Sequence, residues 1–367
     1  MPRCPCSRFA VAACLMFATE EYALPILRPL AAAAKARGQE VGWIVPDAVA
    51  AQLAPGERRV TSLKAAKAMQ PEAVYCAANW VSPRLPGIKV QVFHGFNAEK
   101  REPGRGHFAI RGFFDLYVTQ GPATTEPFAA LAKEHRYFAV RETGWPKLDP
   151  LFIQPPPPRD PAIPERDGRP VVMYASTFSH RLSAAPAMVE PLRTMIARGD
   201  RQWLLTLHPK CSDELFAAYR GLEAENARFF ASDKLIELER AADVLVCDTS
   251  SVIHEFAVMN KPVVTIANRV PHPFMLDVPA PDDVDAAIDR ALSHPPELMA
   301  AIKAHADCIH PSHDGHASER VLDAVAAFQR GAFGNLRRKP LNLIRRIKAL
   351  KASAQLLPGN AENTHRY

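Results

Sequence analysis

Apolar residues in this chain fall into short unbroken runs separated by longer stretches of helical spacing. Apolar runs lie at 9–17, 41–45, 73–77, 88–93, 115–119 and 137–141, mostly without polar alternation. That is the pattern of strands covered on both faces, as in parallel sheets. The intervening stretches 22–37 and 122–134 place apolar residues on one helical face. The pattern stops at Gln154-Pro155-Pro156-Pro157-Pro158-Arg159-Asp160-Pro161 and Arg169-Pro170, because consecutive prolines fit neither a helix interior nor a central strand. It restarts with strands at 171–175, 202–207, 228–231, 243–247 and 262–266. Helices are predicted at 184–198, 212–225, 233–241, 250–259, 283–292, 296–306 and 317–330. Repeated β-α alternation on both sides of the break predicts an α/β protein with two doubly wound, Rossmann-like domains facing a cleft. The expected divisions are an N-terminal domain over 1–153, a semi-rigid linker over 154–170, a C-terminal domain over 171–330 and a tail over 331–367.

The length of 367 residues agrees with two cores, and 48% hydrophobic with 23% charged residues is an ordinary globular composition. Charge changes the picture more. The formal net charge is +6, yet residues 336–357 hold Arg337, Arg338, Lys339, Arg345, Arg346, Lys348 and Lys351 with no acid, so the rest of the chain is near neutral. This excludes a globally basic nucleic-acid binder. In the same stretch Leu336, Leu343, Ile347, Leu350, Ala354 and Leu357 recur at helical spacing. A basic amphipathic helix lying on an anionic membrane surface is therefore expected. The seven cysteines are scattered with no CxxC pair, which points to reduced thiols rather than a disulfide framework or zinc site. The apolar run from Phe9 to Ala18 follows Arg3 and Arg8 as in a signal peptide. Its continuation into a helix and a second strand favours reading it as the first strand of the fold. A cytoplasmic location is expected from these features.

Candidate chemistry gathers at strand ends, where open α/β sheets bind ligands. The clearest segment is Asp243-Val244-Leu245-Val246-Cys247-Asp248-Thr249-Ser250-Ser251, a buried strand running into a polar turn and then a helix. Two hydroxyls beside the first N–H groups of a helix suit a phosphate; simple capping by Asp248 or Ser250 is the plainer explanation. Glu255 lies one turn further on. His208 ends the strand Leu204–Leu207, and His94-Gly95 ends the run 88–93. A histidine titrating near neutrality suits general-base chemistry, and glycine permits a close approach. Each histidine alone is better explained as satisfied by its own loop. Three such ends in two facing sheets make a site. His310, His313 and His316 are spaced like metal ligands, but Pro311 and Gly315 make their segment a loop with no partner cluster, so neither a metal nor another cofactor is expected.

Taken in order, these segments resemble the CDP-glycerol glycerophosphotransferase family, the teichoic-acid polymerase type with a GT-B fold. The likeness rests on His94-Gly95, Gly144-Trp145-Pro146-Lys147-Leu148-Asp149, Tyr174-Ala175-Ser176-Thr177, Leu207-His208-Pro209, the run Asp243 to Phe256, and Asp314-Gly315-His316-Ala317-Ser318-Glu319-Arg320. Thr249 stands where the family has tyrosine, and Glu255 where it has aspartate. The resemblance implies transfer of glycerol phosphate from CDP-glycerol, or another nucleotide-diphosphate donor, to a hydroxyl acceptor, with release of CMP. The acceptor it implies is a glycerol-phosphate or glycan chain, lipid-linked at the inner face of the cytoplasmic membrane. By the same resemblance His94 would accept the acceptor's proton. His208, Ser250 and Ser251 would hold the diphosphate, and Glu255 the ribose. Gly95, Lys147, Thr249, Asp314, Ser318 and Arg320 would complete the substrate contacts. Two alternatives remain open at this level: a glycosyltransferase or epimerase using a nucleotide sugar, and a non-catalytic nucleotide- or polymer-binding relative.

Overall fold

A computed structural model describes residues 12–96, 108–179 and 181–357. The first domain runs through β1 (Ala13–Phe17), α1 (Ala23–Ala36), β2 (Glu40–Ile44), the short helices α2 (Asp47–Ala50) and α3 (Leu63–Ala68), β3 (Ala73–Cys76) and β4 (Ile88–Gln91). It continues through β5 (Leu116–Thr119), α4 (Pro122–His135), β6 (Ala139–Glu142) and α5 (Asp149–Phe152). Its strands lie in the order β2-β1-β3-β4-β5-β6, all parallel. Every residue of β1, β3 and β5 is buried, as the unbroken apolar runs require of strands covered on both faces. The expected first strand, 9–17, is shorter: residue 12 precedes β1, and 9–11 lie outside the described residues, as do Cys4 and Cys6.

The second domain comprises β7 (Val171–Ser176), α6 (Ala185–Ala197), β8 (Gln202–Leu207), α7 (Asp213–Arg220), β9 (Ala227–Phe230) and α8 (Leu235–Ala241). These are followed by β10 (Val244–Cys247), α9 (Val252–Val258), β11 (Val263–Ile266), β12 (Leu276–Val278), α10 (Val284–Leu292) and α11 (Pro296–Ile309). The order β12-β11-β10-β7-β8-β9 is again wholly parallel. The added edge strand β12 has three residues, none fully buried, too short and too polar to carry an apolar signal. Strand order reverses between β1 and β3 in one sheet and between β7 and β10 in the other. At such reversals the diverging crossover connections leave a crevice beyond the strand ends.

Two of the expected divisions need correction. Helix α12 (Ala317–Gln329) does not close the second domain. Its Val321, Leu322, Ala324 and Val325 are buried in the core formed by β1, α1 and β3 of the first domain. The chain crosses back after α11, which amphipathic spacing cannot reveal because spacing gives a face but not its partner. The proline segment is likewise no free spacer. Ile163 is buried in the second domain's core, Lys234 pairs with Asp160 at 2.5 Å, Arg166 pairs with Asp243, and Gln202 Nε2 donates to the Glu165 carbonyl at 2.8 Å.

The basic tail is also docked. After α12 the Arg337 N–H donates to the Arg136 carbonyl at 2.7 Å, and Lys339 pairs with Asp115 at 2.7 Å. Helix α13 (Leu343–Leu356) then lies on the first domain through Ala349 and Ser353, with Leu357 beyond its end buried as well. Its other face is open: Leu343, Ile344, Ile347 and Leu350 are exposed, as is Leu341 just before the helix. Among the described residues no helix is long and apolar enough to cross a membrane.

Candidate active site

Helix-linked strand ends deliver the site's side chains from both sheets. In the first, Phe93 after β4 adopts φ +62° and turns the chain outward, leaving the following His94 exposed. His94 Nδ1 lies 3.2 Å from the Ala77 carbonyl oxygen, just beyond β3, and its ring tilts against Tyr22, beyond β1, at 5.6 Å. The histidine thus sits over the reversal in strand order. A carbonyl oxygen only accepts, so Nδ1 carries the proton and Nε2 is the basic nitrogen of the neutral ring. The Gly95 carbonyl accepts from the buried Gln120 Nε2 at 3.0 Å, which fixes the backbone behind the histidine.

The second sheet provides the complement. His208, beyond β8, accepts at Nδ1 from the Lys210 N–H at 3.1 Å, so its proton lies on Nε2 and it is a donor there. Its ring packs on Phe178 at 4.4 Å. Asp248 spans the strand reversal: its carboxylate accepts from the Thr177 N–H at 2.9 Å, the Ala184 N–H at 3.0 Å and the Ser176 hydroxyl. The residue is fully buried. It therefore ties the loop after β7 to the turn after β10 instead of capping α9, whose N-cap, Ser251, makes no side-chain bond. Thr249 Oγ1 accepts from the Arg269 N–H at 3.0 Å. Ser250 and Ser251 remain half-buried.

Glu255 is buried and paired with Lys147 of the first domain, an ion pair that bridges the domains. Beside it Glu239 is fully buried and neither carboxylate oxygen has a hydrogen-bond partner. Burial, reinforced by the negative charge of Glu255, raises its pKa well above the carboxylate range. The short segment from Thr143 to Asp149 is the joint of the molecule. Trp145 N–H donates to His310 Nε2 at 2.9 Å. Asp149 accepts from the Ala317 and Ser318 N–H groups at 2.8 Å each, capping α12 after the chain has crossed back to the first domain. Arg320 Nε donates to the Thr143 carbonyl at 2.7 Å, and its guanidinium pairs with Asp314, also at 2.7 Å. Gly144 sits here at φ +80°, where a Cβ would meet Ala317 and His310 at 3.1 Å. The resemblance led to an expectation of substrate contacts for Asp314, Ser318 and Arg320. The structure puts them in this seam: the Ser318 N–H and Arg320 bond to the first domain, and Asp314 is held by Arg320.

Between the sheets lies a cavity of about 370 Å3, bounded by Phe96, Thr124 of α4, Ser250, His254, Arg269 and His305 among others. The carboxyl ends of both sheets therefore reach one space, the arrangement two facing Rossmann-like domains predict. Among the described residues no group of three or more His, Cys, Asp or Glu is placed to hold a metal ion. His310 and His313 stack on each other and on Phe152. The missed residues are Asp248, Asp149, Glu239 and Gln120, buried polar groups in apolar surroundings. An acid directly after a buried strand, as Asp248 is, was the one usable signal.

The model of CDP-glycerol:poly(glycerophosphate) glycerophosphotransferases matches residues 36–270. This chain belongs to that family. The match spans His94-Gly95, the 143–149 joint, His208 and the Asp243–Phe256 segment. Membership sets the reaction class as glycerophosphate transfer from CDP-glycerol. No curated protein matches the chain in sequence. Among solved structures, the wall teichoic acid polymerase TagF soaked with CDPG is similar with a TM-score of 0.62 at 16% identity, over 88% of this chain and 89% of that one. A UDP-N-acetylglucosamine 2-epimerase from Listeria monocytogenes, described as putative, gives 0.60 at 14% identity over 90% and 100%. The S. aureus MnaA–UDP complex gives 0.59 at 12% over 87% and 97%. These likenesses establish a GT-B-like fold shared by transferase and epimerase alike.

Proposed function

We propose that this glycerophosphotransferase moves glycerol phosphate from CDP-glycerol to a hydroxyl on a lipid-linked polymer acceptor at the inner face of the cytoplasmic membrane, releasing CMP. The observation that carries the assignment of roles is the opposite Nδ1 contacts of the two strand-end histidines, a carbonyl oxygen at His94 and a backbone N–H at His208. His94 presents a basic Nε2 and acts as general base toward the acceptor hydroxyl. His208 presents an Nε2–H and donates to the diphosphate, with the Ser250 and Ser251 hydroxyls beside it. The acceptor oxygen attacks the β-phosphorus, the bond from that phosphorus to the bridging oxygen breaks, and CMP leaves with the negative charge that His208 stabilises. His94 takes the proton released by the hydroxyl. Glu255, buried against Lys147, serves the ribose by holding the joint that frames the nucleotide site.

The tail supports the membrane side of the reading. On α13, Leu343, Ile347, Leu350 and Ala354 face solvent, while Leu336 and Leu357 of the expected stripe turn inward. Arg346 and Lys348 flank the exposed stripe. A helix that docks by its small residues and leaves its large apolar ones outside is built to meet a second apolar phase. Each nearby cation adds ~1 kcal/mol of attraction to an anionic surface.

The decisive experiment is His94→Ala. CMP release in the presence of acceptor should fall by about 10²–10⁴-fold, while CDP affinity, measured by calorimetry, stays within twofold. Full turnover by the folded variant would remove His94 from the base role.

A further inference from the structure

The seam between the domains holds a buried acid that the transfer chemistry does not use. Glu239, in α8, is fully buried, and among the described residues neither of its carboxylate oxygens has a hydrogen-bond partner. A polar group enclosed without a partner costs stability, so its presence calls for a state in which it is paired. Its place in the fold is suggestive of one: α8 packs against α5, which continues directly from the 143–149 joint. Four charged groups face Glu239: Glu237 on its own helix, Glu255 of α9, Lys147 of the joint and Lys261 just before β11. Glu237 and Glu255 repel a second carboxylate. Lys261 attracts one but has no donor to give. Its Nζ donates to the carbonyl oxygens of Glu239, Arg240 and Ala242 at 2.9, 3.0 and 2.7 Å, which uses all three N–H bonds of the ammonium. Lys147 differs. Its Nζ bonds to Glu255 and lies 5.3 Å from the centre of the Trp145 ring, so it has donors to spare. One ammonium thus stands beside two buried acids, paired with one of them.

We propose that Glu239 is a positioning residue, the alternative partner of Lys147: when a bound nucleotide engages Glu255 through its ribose, the ammonium passes to Glu239. The proposal rests on the ribose reading of Glu255 given above. Glu255 lies in the first turn of α9, just after Ser250 and Ser251, so a nucleotide seated at that turn brings its ribose hydroxyls toward it. Those hydroxyls donate to the Glu255 carboxylate and displace Lys147. Burial and the charge of Glu255 raise the Glu239 pKa well above the carboxylate range, which favours the neutral acid while Lys147 is elsewhere. Arrival of the ammonium reverses that preference: the carboxyl O–H breaks and its proton leaves to solvent. Lys147 belongs to the first domain and both acids to the second, so the exchange links an occupied donor site to the way the two domains meet.

Calorimetry of CDP-glycerol binding to the full chain, without acceptor and in two buffers of different ionisation enthalpy, counts the protons released. Wild type should release about one more proton per ligand bound than Glu239→Gln, and Glu239→Gln should bind about tenfold more weakly, because its amide replaces a charge-assisted bond with a neutral one. A 2′,3′-dideoxy analogue of CDP-glycerol should bind wild type without the extra proton, a comparison that needs no variant to fold. A Glu239 with a purely structural role would change the melting temperature and leave the proton count alone. Equal proton release by wild type and Glu239→Gln, or by wild type with CDP-glycerol and with the dideoxy analogue, would overturn the exchange. Failure of wild type to bind CDP-glycerol would instead count against the donor reading itself.

Discussion

Side-chain identity at the Lys147–Glu255 contact matters more for what it prevents than for what it adds. Both groups are nearly enclosed, with side-chain exposures of 10% and 4%, so each would be costly alone. Glu239 lies against the same charges, and burial pushes its pKa well above the carboxylate range. Lys147→Met should therefore leave Glu255 uncompensated and destabilise the protein by about 3–5 kcal/mol. Adding Glu255→Leu should recover most of that loss, because a buried pair replaced by apolar groups is often close to neutral. Urea unfolding of the single and double variants checks this, and a double variant as weak as the single one would mean the pair is not the source of the effect. Activity should not return with stability in the double variant if Glu255 also positions the ribose.

Single elements explain why some of this molecule was readable in advance. Helix and strand positions were legible wherever a continuous apolar run or helical spacing persisted for a full element, and β7, β8, β10, α1, α4 and α6 all fall within a residue or two of expectation. The strand-end histidines and the serine turn were legible because strand and turn chemistry lie together in sequence. The seam was not. Trp145 with His310, and Asp149 with Ser318, are pairs separated by more than 160 residues, and no local pattern encodes a partner that distant. Helix α13 falls between these cases. Its amphipathicity was readable, but which of its two faces meets protein depends on the first domain's surface. The docked face holds Ala349 and Ser353, so charge on the other face should cost little stability. Ile344→Glu with Ile347→Glu should lower binding to anionic liposomes by at least tenfold at low salt, with an unchanged melting temperature. Raising the salt should weaken wild-type binding in parallel. Undiminished flotation of the double variant would place membrane contact elsewhere.

At the scale of the whole molecule burial favours the neutral form of two histidines, one of them at the joint between the domains. His310 accepts from the Trp145 N–H and is buried; burial, helped by His313, lowers its pKa to about 4. His305, paired with His254 across the cavity wall, is lowered to about 4 by burial and by His272. Unfolded, both would titrate near 6.5. The unfolded chain therefore binds more protons than the folded one at mildly acidic pH. Stability from these groups is complete above pH 6.5 and is lost progressively as the pH falls toward 4. Each pH unit in that window removes up to ~1.4 kcal/mol per group. His310→Asn keeps a side-chain acceptor for the Trp145 N–H but does not titrate, so its stability should fall less steeply across the window, even if it starts lower at pH 7.5. Melting temperature measured at half-unit steps from pH 7.5 to 4.5 tests this, with limited proteolysis across the 143–149 joint reporting whether the domains part first. If the variant and wild type decline in parallel, protonation at the seam does not govern the acid sensitivity. If the joint becomes cleavable before either core melts, the weakest point of the fold is the contact between the domains, and activity should disappear with that opening rather than with global unfolding.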